Sequence, residues 1–433
     1  MADDNGTNSL EYGTPCFEKY TKVRCIGAGT YGRVYEAKDR VSGDVVALKK
    51  IKTLNESEGV PVTTLREIVA LKSLRHPNLV GMKGIVVSKQ KDEDDEDEDD
   101  PKGGGSTSQD TRSDYANGSI FLVLEFVAHD LTGLLQSNHS FSDLAIKYIM
   151  RQLLEGLQYM HDRDVLHRDI KTSNILLTPA YVVKLADYGL ARTLRSNSKL
   201  TNKVVTLWYR APELLLGSTD YDASVDMWSV GLVLVLLILL VCILIDECRC
   251  VFAELFLGRP LFAAKTEAEQ MVKITDVCGT LFDDVNGISH LPHYDKFLGS
   301  DKARASDLRR MMYRKAMERN VTLPHGFIEL LDKLLQIDPK RRFNPAQALN
   351  SDYFKVHHPQ LVPGGDAPTM LPPITEANCH EMAARKLKKE GSQAVINGAD
   401  LNKKKLHDKA NAVLSVVEHT KKRPPSKPLY VTD

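Results

Sequence analysis

The string His167-Arg168-Asp169-Ile170-Lys171-Thr172-Ser173-Asn174 narrows the possibilities for this chain more than any other segment. It sets a carboxylate and an amide five residues apart on a loop. Transfer of a phosphoryl group needs a carboxylate to accept the attacking hydroxyl's proton, and oxygen ligands for Mg²⁺. Asp169 suits the first task and Asn174 the second. Asp187-Tyr188-Gly189 follows and offers Asp187 as a second metal ligand. Ala211-Pro212-Glu213 comes next. Each piece alone can arise by chance; their order and spacing together argue against it.

Upstream lies Gly27-Ala28-Gly29-Thr30-Tyr31-Gly32-Arg33-Val34. Glycines at this spacing let backbone N–H groups approach phosphates with no Cβ in the way. By itself such a loop is as often a plain turn between strands. Here it sits in Tyr20 to Ile51, where short Val- and Tyr-rich runs are broken by glycines and the Ser42-Gly43-Asp44 turn, a strand pattern. Val46-Ala47-Leu48-Lys49 follows, rather than a helix and a ribose-binding acid, which disfavours a dinucleotide fold. Lys49 can reach the α- and β-phosphates from a strand. Leu65, Ile68, Val69, Leu71 and Leu74 predict a helix over 62–75, and Glu67 on it can pair with Lys49. Taken singly, either charge reads as solvated.

The chain of 433 residues is long enough for two or three structural units. Its 57 basic and 57 acidic residues cancel, but nine of the acids are consecutive, Asp92 to Asp100, so the remainder is basic. That run lies in a low-complexity loop, 91–118, inside a domain, because strand-like sequence resumes at Ile120. Beyond Asp130 helical patterns dominate, over 142–162, 222–257, 266–278, 304–318 and 325–336. Seven cysteines without a CxxC pair argue against a disulfide scaffold or zinc site and for a reducing compartment. Residues 1–19 read as a loose leader without a signal-peptide core. From 356 to 433 the chain is a basic tail, in which Lys421-Lys422-Arg423 reads equally as an import signal or a solubilising run.

These motifs resemble the eukaryotic protein kinases over residues 18–355. The resemblance implies an α+β, bilobal protein kinase fold, with a β-rich N-lobe (20–128), a helical C-lobe (129–355), and ATP with Mg²⁺ between them. Carried onto this sequence, it implies a nucleotide site of Ile26, Gly27, Gly29, Gly32 and Val34 above, with Ala47, Lys49 and Glu67 behind. Leu124 becomes the gatekeeper, and Glu125, Val127 and Asp130 belong to the hinge and its exit. Asp169, Lys171 and Thr206 become the catalytic group; Asn174 and Asp187 hold metal. Two departures stand out, Leu124 where many cyclin-dependent kinases have Phe, and Tyr188 where most kinases have Phe. The Tyr188 hydroxyl needs a partner.

Pro61-Val62-Thr63-Thr64-Leu65-Arg66-Glu67 is similar to the cyclin-binding helix of cyclin-dependent kinases, which implies a cyclin partner. By the same resemblance Thr201 is the activating phosphosite, and Arg66, Arg168 and Arg192 collect its phosphate. Val204, Val205 and Arg210 form a pocket for proline after the target Ser or Thr. Asp226 supports the catalytic loop, and Arg342 is a buried ion-pair partner. Thr201 to Arg210 and His129 to Leu135 resemble the transcriptional branch that phosphorylates the RNA polymerase II tail, as does Cys379-His380-Glu381. That branch implies nuclear location, with a cytoplasmic pool as the alternative, and neither direct nucleic-acid binding nor a membrane. The alternatives are a cell-cycle kinase and a catalytically impaired scaffold.

The scaffold reading rests on Leu232 to Arg249. Kinases of this family read something like DMWSVGCVFAELF here. This chain reads Asp226-Met227-Trp228-Ser229-Val230-Gly231, then 18 further residues, then Cys250-Val251-Phe252-Ala253-Glu254-Leu255-Phe256. Removing 232–249 restores the pattern, and its whole number of codons and its pyrimidine-rich apolar codons suit a retained intron. The functional protein is expected to lack the segment, and the mature transcript decides it. Within the fold, an insert of this length is expected to loop out, because as helix it adds ~27 Å. The apolar run, Val230 to Ile245, is shorter than the ~20 residues of a spanning helix.

Overall fold

The computed structural model describes residues 17–29, 32–51, 62–88, 119–137, 139–194, 199–244, 261–280, 290–297, 304–318, 322–355, 371–376 and 379–381. The chain divides after Met382, and all of these belong to the first unit. The acidic run, the end of the insert beyond Leu244 and the basic tail beyond 381 lie outside the described residues.

Strands β1 (Tyr20–Gly29) and β2 (Gly32–Asp39) pair antiparallel, with Gly29 opposite Gly32. Strand β3 (Val45–Lys50) follows, then helix α1 (Val62–Ser73), β4 (Met82–Val87) and β5 (Ile120–Glu125). The five strands form one antiparallel sheet in the order β1-β2-β3-β5-β4. Side chains alternate across a strand. Val46 and Leu48 of β3 therefore join Tyr35, Ala37, Phe121 and Val123 in a small core on one face, while Ala47 and Lys49 turn to the other face and line a cavity. Phe17, expected in a loose leader, stacks on Phe121 at 4.6 Å.

The larger lobe begins with β6 (His129–Asp130) and helices α2 (Leu131–Gln136) and α3 (Asp143–His161). Ser142 caps α3 by accepting from the Ala145 N–H. The helix buries Ile146, Ile149, Leu153, Leu157 and Met160, an apolar stripe at helical spacing. Short strands β7 (Val165–Leu166), β8 (Ile175–Leu177) and β9 (Val183–Leu185) follow, β8 lying between β6 and β9, and β7 pairing with β10 (Arg192–Thr193). The chemistry-bearing loops are the connections between these strands: 167–174 leaves β7 and 186–191 leaves β9.

Helix α4 (Pro212–Leu215) precedes α5 (Ser224–Leu244), the central helix of this lobe. Here the structure corrects the expectation of a looped-out insert. Helix α5 runs unbroken into the apolar segment, and Leu232 to Ile238 are each no more than 5% exposed. The physical reason is that the run is apolar on every side, so any helical face of it suits a core. At Gly231 an added Cβ would meet Leu335 Cδ2 at 2.8 Å and Leu334 Cβ at 3.0 Å, so the neighbouring helix Phe327–Leu334 packs close because this residue has no side chain. Among the described residues no helix is long and apolar enough to cross a membrane.

Candidate active site

A cavity of about 340 Å³ opens between the sheet and the larger lobe. Ile26, Gly27, Gly32, Val34 and Ala47 line it from the sheet; Leu124, Glu125, Val127 and Asp130 line it where β5 passes into β6. Lys49, Glu67, Lys171, Asn174 and Asp187 supply its charged and polar wall. Gly29, also read from sequence as a nucleotide residue, ends β1, where it pairs with Gly32.

Lys49 Nζ donates to Glu67 Oε1 at 2.7 Å and to Asp187 Oδ1 at 2.8 Å, joining β3, α1 and the loop after β9. Burial opposes the Lys49 charge, but the Asp187 and Glu67 carboxylates outweigh it and hold the amine protonated. Asp187 follows the same balance: burial raises its pKa, Lys49 lowers it more, and the net shift is downward. Burial wins at Glu67, whose pKa is raised despite Lys49.

Asp169 is held on three sides. Lys171 Nζ donates to its Oδ2 at 2.8 Å, Asn174 Nδ2 to the same oxygen at 2.9 Å, and Thr206 Oγ1 to its Oδ1 at 3.0 Å. Beneath it, Asp226 accepts from the His167 and Arg168 backbone N–H groups at 2.9 and 2.8 Å and contacts His161 Nε2 at 2.9 Å. Burial raises the Asp226 pKa, yet His161 and these donors bring it below the usual carboxylate range. Arg168 pays for this geometry with a backbone φ of +64°, a region that costs a non-glycine residue ~1–2 kcal/mol. His167 is fully buried and its pKa is lowered by burial; its Nδ1 accepts from the Asp169 N–H and its Nε2 meets the Ala186 carbonyl. The extra hydroxyl of Tyr188 donates to the Leu185 carbonyl at 2.7 Å, while its ring meets His167 edge-on.

A divalent cation fits this donor set. Asp187 and Asn174 both face the cavity with hard oxygen atoms, and engagement of the Asn174 nitrogen with Asp169 leaves its amide oxygen as the ligand atom. Among the described residues no cluster of three or more His, Cys, Asp or Glu could hold a metal by itself.

The hinge region differs from a simple nucleotide slot. Both Asp130 oxygens are engaged: Oδ1 caps α2 by accepting from Gly133 N at 2.7 Å, and Oδ2 accepts from Glu381 N at 2.8 Å. Cys379 N donates to His129 Nδ1 at 3.0 Å, and Asp130 N donates back to the Cys379 carbonyl at 3.1 Å. The crossing is tight, since a Cβ on Gly133 would lie 2.4 Å from the Cys379 oxygen. His380 and Glu381 thereby join the cavity lining. Spacing could not place them there; Cys379-His380-Glu381 is the signal in the sequence that could. Glu125 commits its carboxylate to Gly81 N and Lys184.

Beyond the cavity, Thr201 is exposed. Arg66 has its pKa lowered by burial and then by the like charges of Arg192 and Arg168, so the three arginines do gather. No carboxylate pairs with any of them among the described residues. Arg210 donates from Nε to the Val204 carbonyl at 2.9 Å and from Nη2 to the Val205 carbonyl at 3.0 Å, and pairs with Glu267 at 2.6 Å. Val205 is held at φ +65°. Arg342 is enclosed and forms a two-pronged pair with Glu213 at 2.8 and 2.9 Å.

Residues 20–244 match the protein kinase domain family, more than half of the chain, and the match ends inside the apolar run. Cyclin-dependent kinase C-2 of rice is 40% identical over 354 residues, covering 81% of this chain and 62% of that protein. Cyclin-dependent kinase 9-A of Xenopus laevis is 38% identical, covering 78% of this chain and 80% of its own length. The chain thus spans about three fifths of the rice relative. The crystal structure of the yeast RNA Pol II CTD kinase CTDK-1 complex is similar with a TM-score of 0.60 and 31% identity, over 79% of this chain and 94% of the matched one.

Proposed function

Because the chain belongs to the protein kinase family, among the cyclin-dependent kinases, we propose that it transfers the γ-phosphoryl group of ATP to Ser or Thr followed by Pro, on a polymerase-tail-like repeat, with a cyclin as its partner. The observation that carries this reading is the three-sided hold on Asp169 beside the Lys49–Glu67–Asp187 triad. The adenine enters between Ala47 and the wall of Leu124 and Val127, with hinge backbone as its hydrogen-bonding edge. Lys49 draws the α- and β-phosphates inward. Mg²⁺, held by Asn174 and Asp187, supplies positive charge against the phosphate oxygens when bound. Asp169 orients the substrate hydroxyl and takes its proton as the oxygen attacks the γ-phosphorus, and ADP leaves with the electrons of the broken P–O bond. Lys171 and Thr206 keep the Asp169 carboxylate in one orientation, and Lys171 offers charge to the moving phosphoryl group.

Preference for proline follows from Arg210. Its bonds occupy the Val204 and Val205 carbonyls, so a substrate residue placed after the target finds no acceptor there for its N–H. Proline has none to satisfy. A buried unsatisfied donor costs about 1–3 kcal/mol, a discrimination of about 5- to 150-fold. The cyclin is proposed on α1, whose Leu65 and Val69 are 50% and 66% exposed. The likeness to the yeast RNA Pol II CTD kinase supports the transcriptional setting, and a nuclear location is proposed with it. The test is phosphate incorporation by the cyclin-bound chain into repeat peptides carrying Ser-Pro or Ser-Ala. Strong labelling of Ser-Pro alone is expected; equal labelling overturns the substrate reading, and no labelling of either overturns the activity.

A further inference from the structure

Tyr221 lies in the turn before α5, 8% exposed, and the cavity does not use it. Its hydroxyl makes two bonds that meet at the activating segment. It accepts from Arg168 Nη1 at 2.9 Å and donates to the Thr201 backbone carbonyl at 2.7 Å. A phenol has one proton and acceptor capacity to spare, so it can do both at once. Arg168 is fixed a second time by its Nε bond to the Leu190 carbonyl at 2.8 Å. A backbone bond from Leu200 N to the Thr219 carbonyl at 2.8 Å holds the adjoining residue of the segment to the same turn.

These bonds solve an electrostatic problem. Arg66, Arg168 and Arg192 gather with mutual repulsion and with no carboxylate among them in the described residues. Before any phosphate arrives, no carboxylate among the described residues pairs with the Arg168 guanidinium to keep it turned toward Thr201. We infer that Tyr221 is a positioning residue for the proposed reaction: its hydroxyl holds Arg168 and the Thr201 backbone together in the unphosphorylated enzyme, so that the segment is already near its working arrangement. This rests on the reading of Thr201 as the phosphosite. A phosphate there supplies several charge-assisted bonds of its own, so the tyrosine hydroxyl matters most when the phosphate is absent. Arg168 directly precedes Asp169, so a slack Arg168 is felt at the proton-accepting carboxylate.

The test is Tyr221→Phe, which keeps the ring and its packing. The full chain with its co-purified cyclin is compared after phosphatase treatment and after stoichiometric Thr201 phosphorylation verified by mass spectrometry. Hydrogen bonds to charged groups contribute enough for about a tenfold to hundredfold effect. Turnover of the unphosphorylated variant should fall by that factor, with the KM for ATP unchanged and the phosphorylated variant within about twofold of wild type. Amide hydrogen exchange at 200–202 should quicken in the unphosphorylated variant only. An equal fall in both forms would mark a merely structural residue and overturn the proposal, as would no fall in either. If wild-type turnover does not respond to Thr201 phosphorylation, the phosphosite reading fails by itself. Tyr221→Phe must then still lower turnover of the unmodified chain for the positioning role to survive.

Discussion

The molecule gathers charge in two places and treats them in opposite ways. Around Lys49, one buried ammonium meets two carboxylates at 2.7 and 2.8 Å. Around Arg168, three guanidinium groups approach with no acid among the described residues. The first cluster is complete within the chain. On the reading proposed above, the second is completed by a phosphate on Thr201, whose three acceptor oxygens suit several guanidinium donors. A fold can thus store readiness in one site and a requirement in another, and join them through neighbouring residues such as Arg168 and Asp169.

The contrast breaks most sharply at Asp169. Asp169→Asn keeps the size and most of the hydrogen-bonding shape but removes the proton acceptor. Turnover should fall ~10²–10⁴-fold while nucleotide affinity, measured by calorimetry, stays within a few-fold; near-normal turnover would defeat the assignment. Thr201→Ala tests the incomplete cluster. With cyclin bound, its turnover should lie about tenfold or more below that of the phosphorylated wild type, and match the unphosphorylated one. Equal rates for all three would remove the reason to gather the arginines.

The smallest effect sharpens the comparison through pH. His76, His129 and His167 have pKa values lowered chiefly by burial. Their unfolded value is near 6.5, so between there and the lower folded values the unfolded chain binds more protons. Stability therefore rises with pH in that window and falls as pH drops below about 6.5. The lowered carboxylates, Asp187 and Asp226, contribute stability that is lost only at more acid pH, below about 4. The thermal midpoint should decline by several degrees between pH 7.5 and 5.5. An unchanged midpoint would mean these rings do not remain neutral in the fold.

Much of this was legible in the sequence because it is local. The strand turns around Gly27 and Gly32, the helix carrying Glu67 and the loop joining Asp169 to Asn174 are short-range patterns. Tyr188 needed a hydroxyl partner, and the Leu185 carbonyl three residues away is that partner. What escaped depends on distant chain. Nothing near Tyr221 announces that it bridges Arg168 and Thr201, since the three are 20 and 53 residues apart along the chain. Asp130 reads as a pocket residue, but its oxygens serve a helix cap and a backbone amide from position 381. The apolar run misled in another way. Its composition permits burial on any face, so helix α5 absorbs Leu232 to Ile238 where length alone argued for a loop.

The junction between His129 and Cys379 spans 250 residues, and this sets a timetable. A ribosome adds ~5–20 residues per second. Tens of seconds therefore separate the emergence of one partner from the other. Until then the sheet and its lysine exist without the last wall of the cavity, and the nascent chain holds an open-sided pocket. The segment that adds His380 and Glu381 to the lining is thus the last of the cavity's walls to be made.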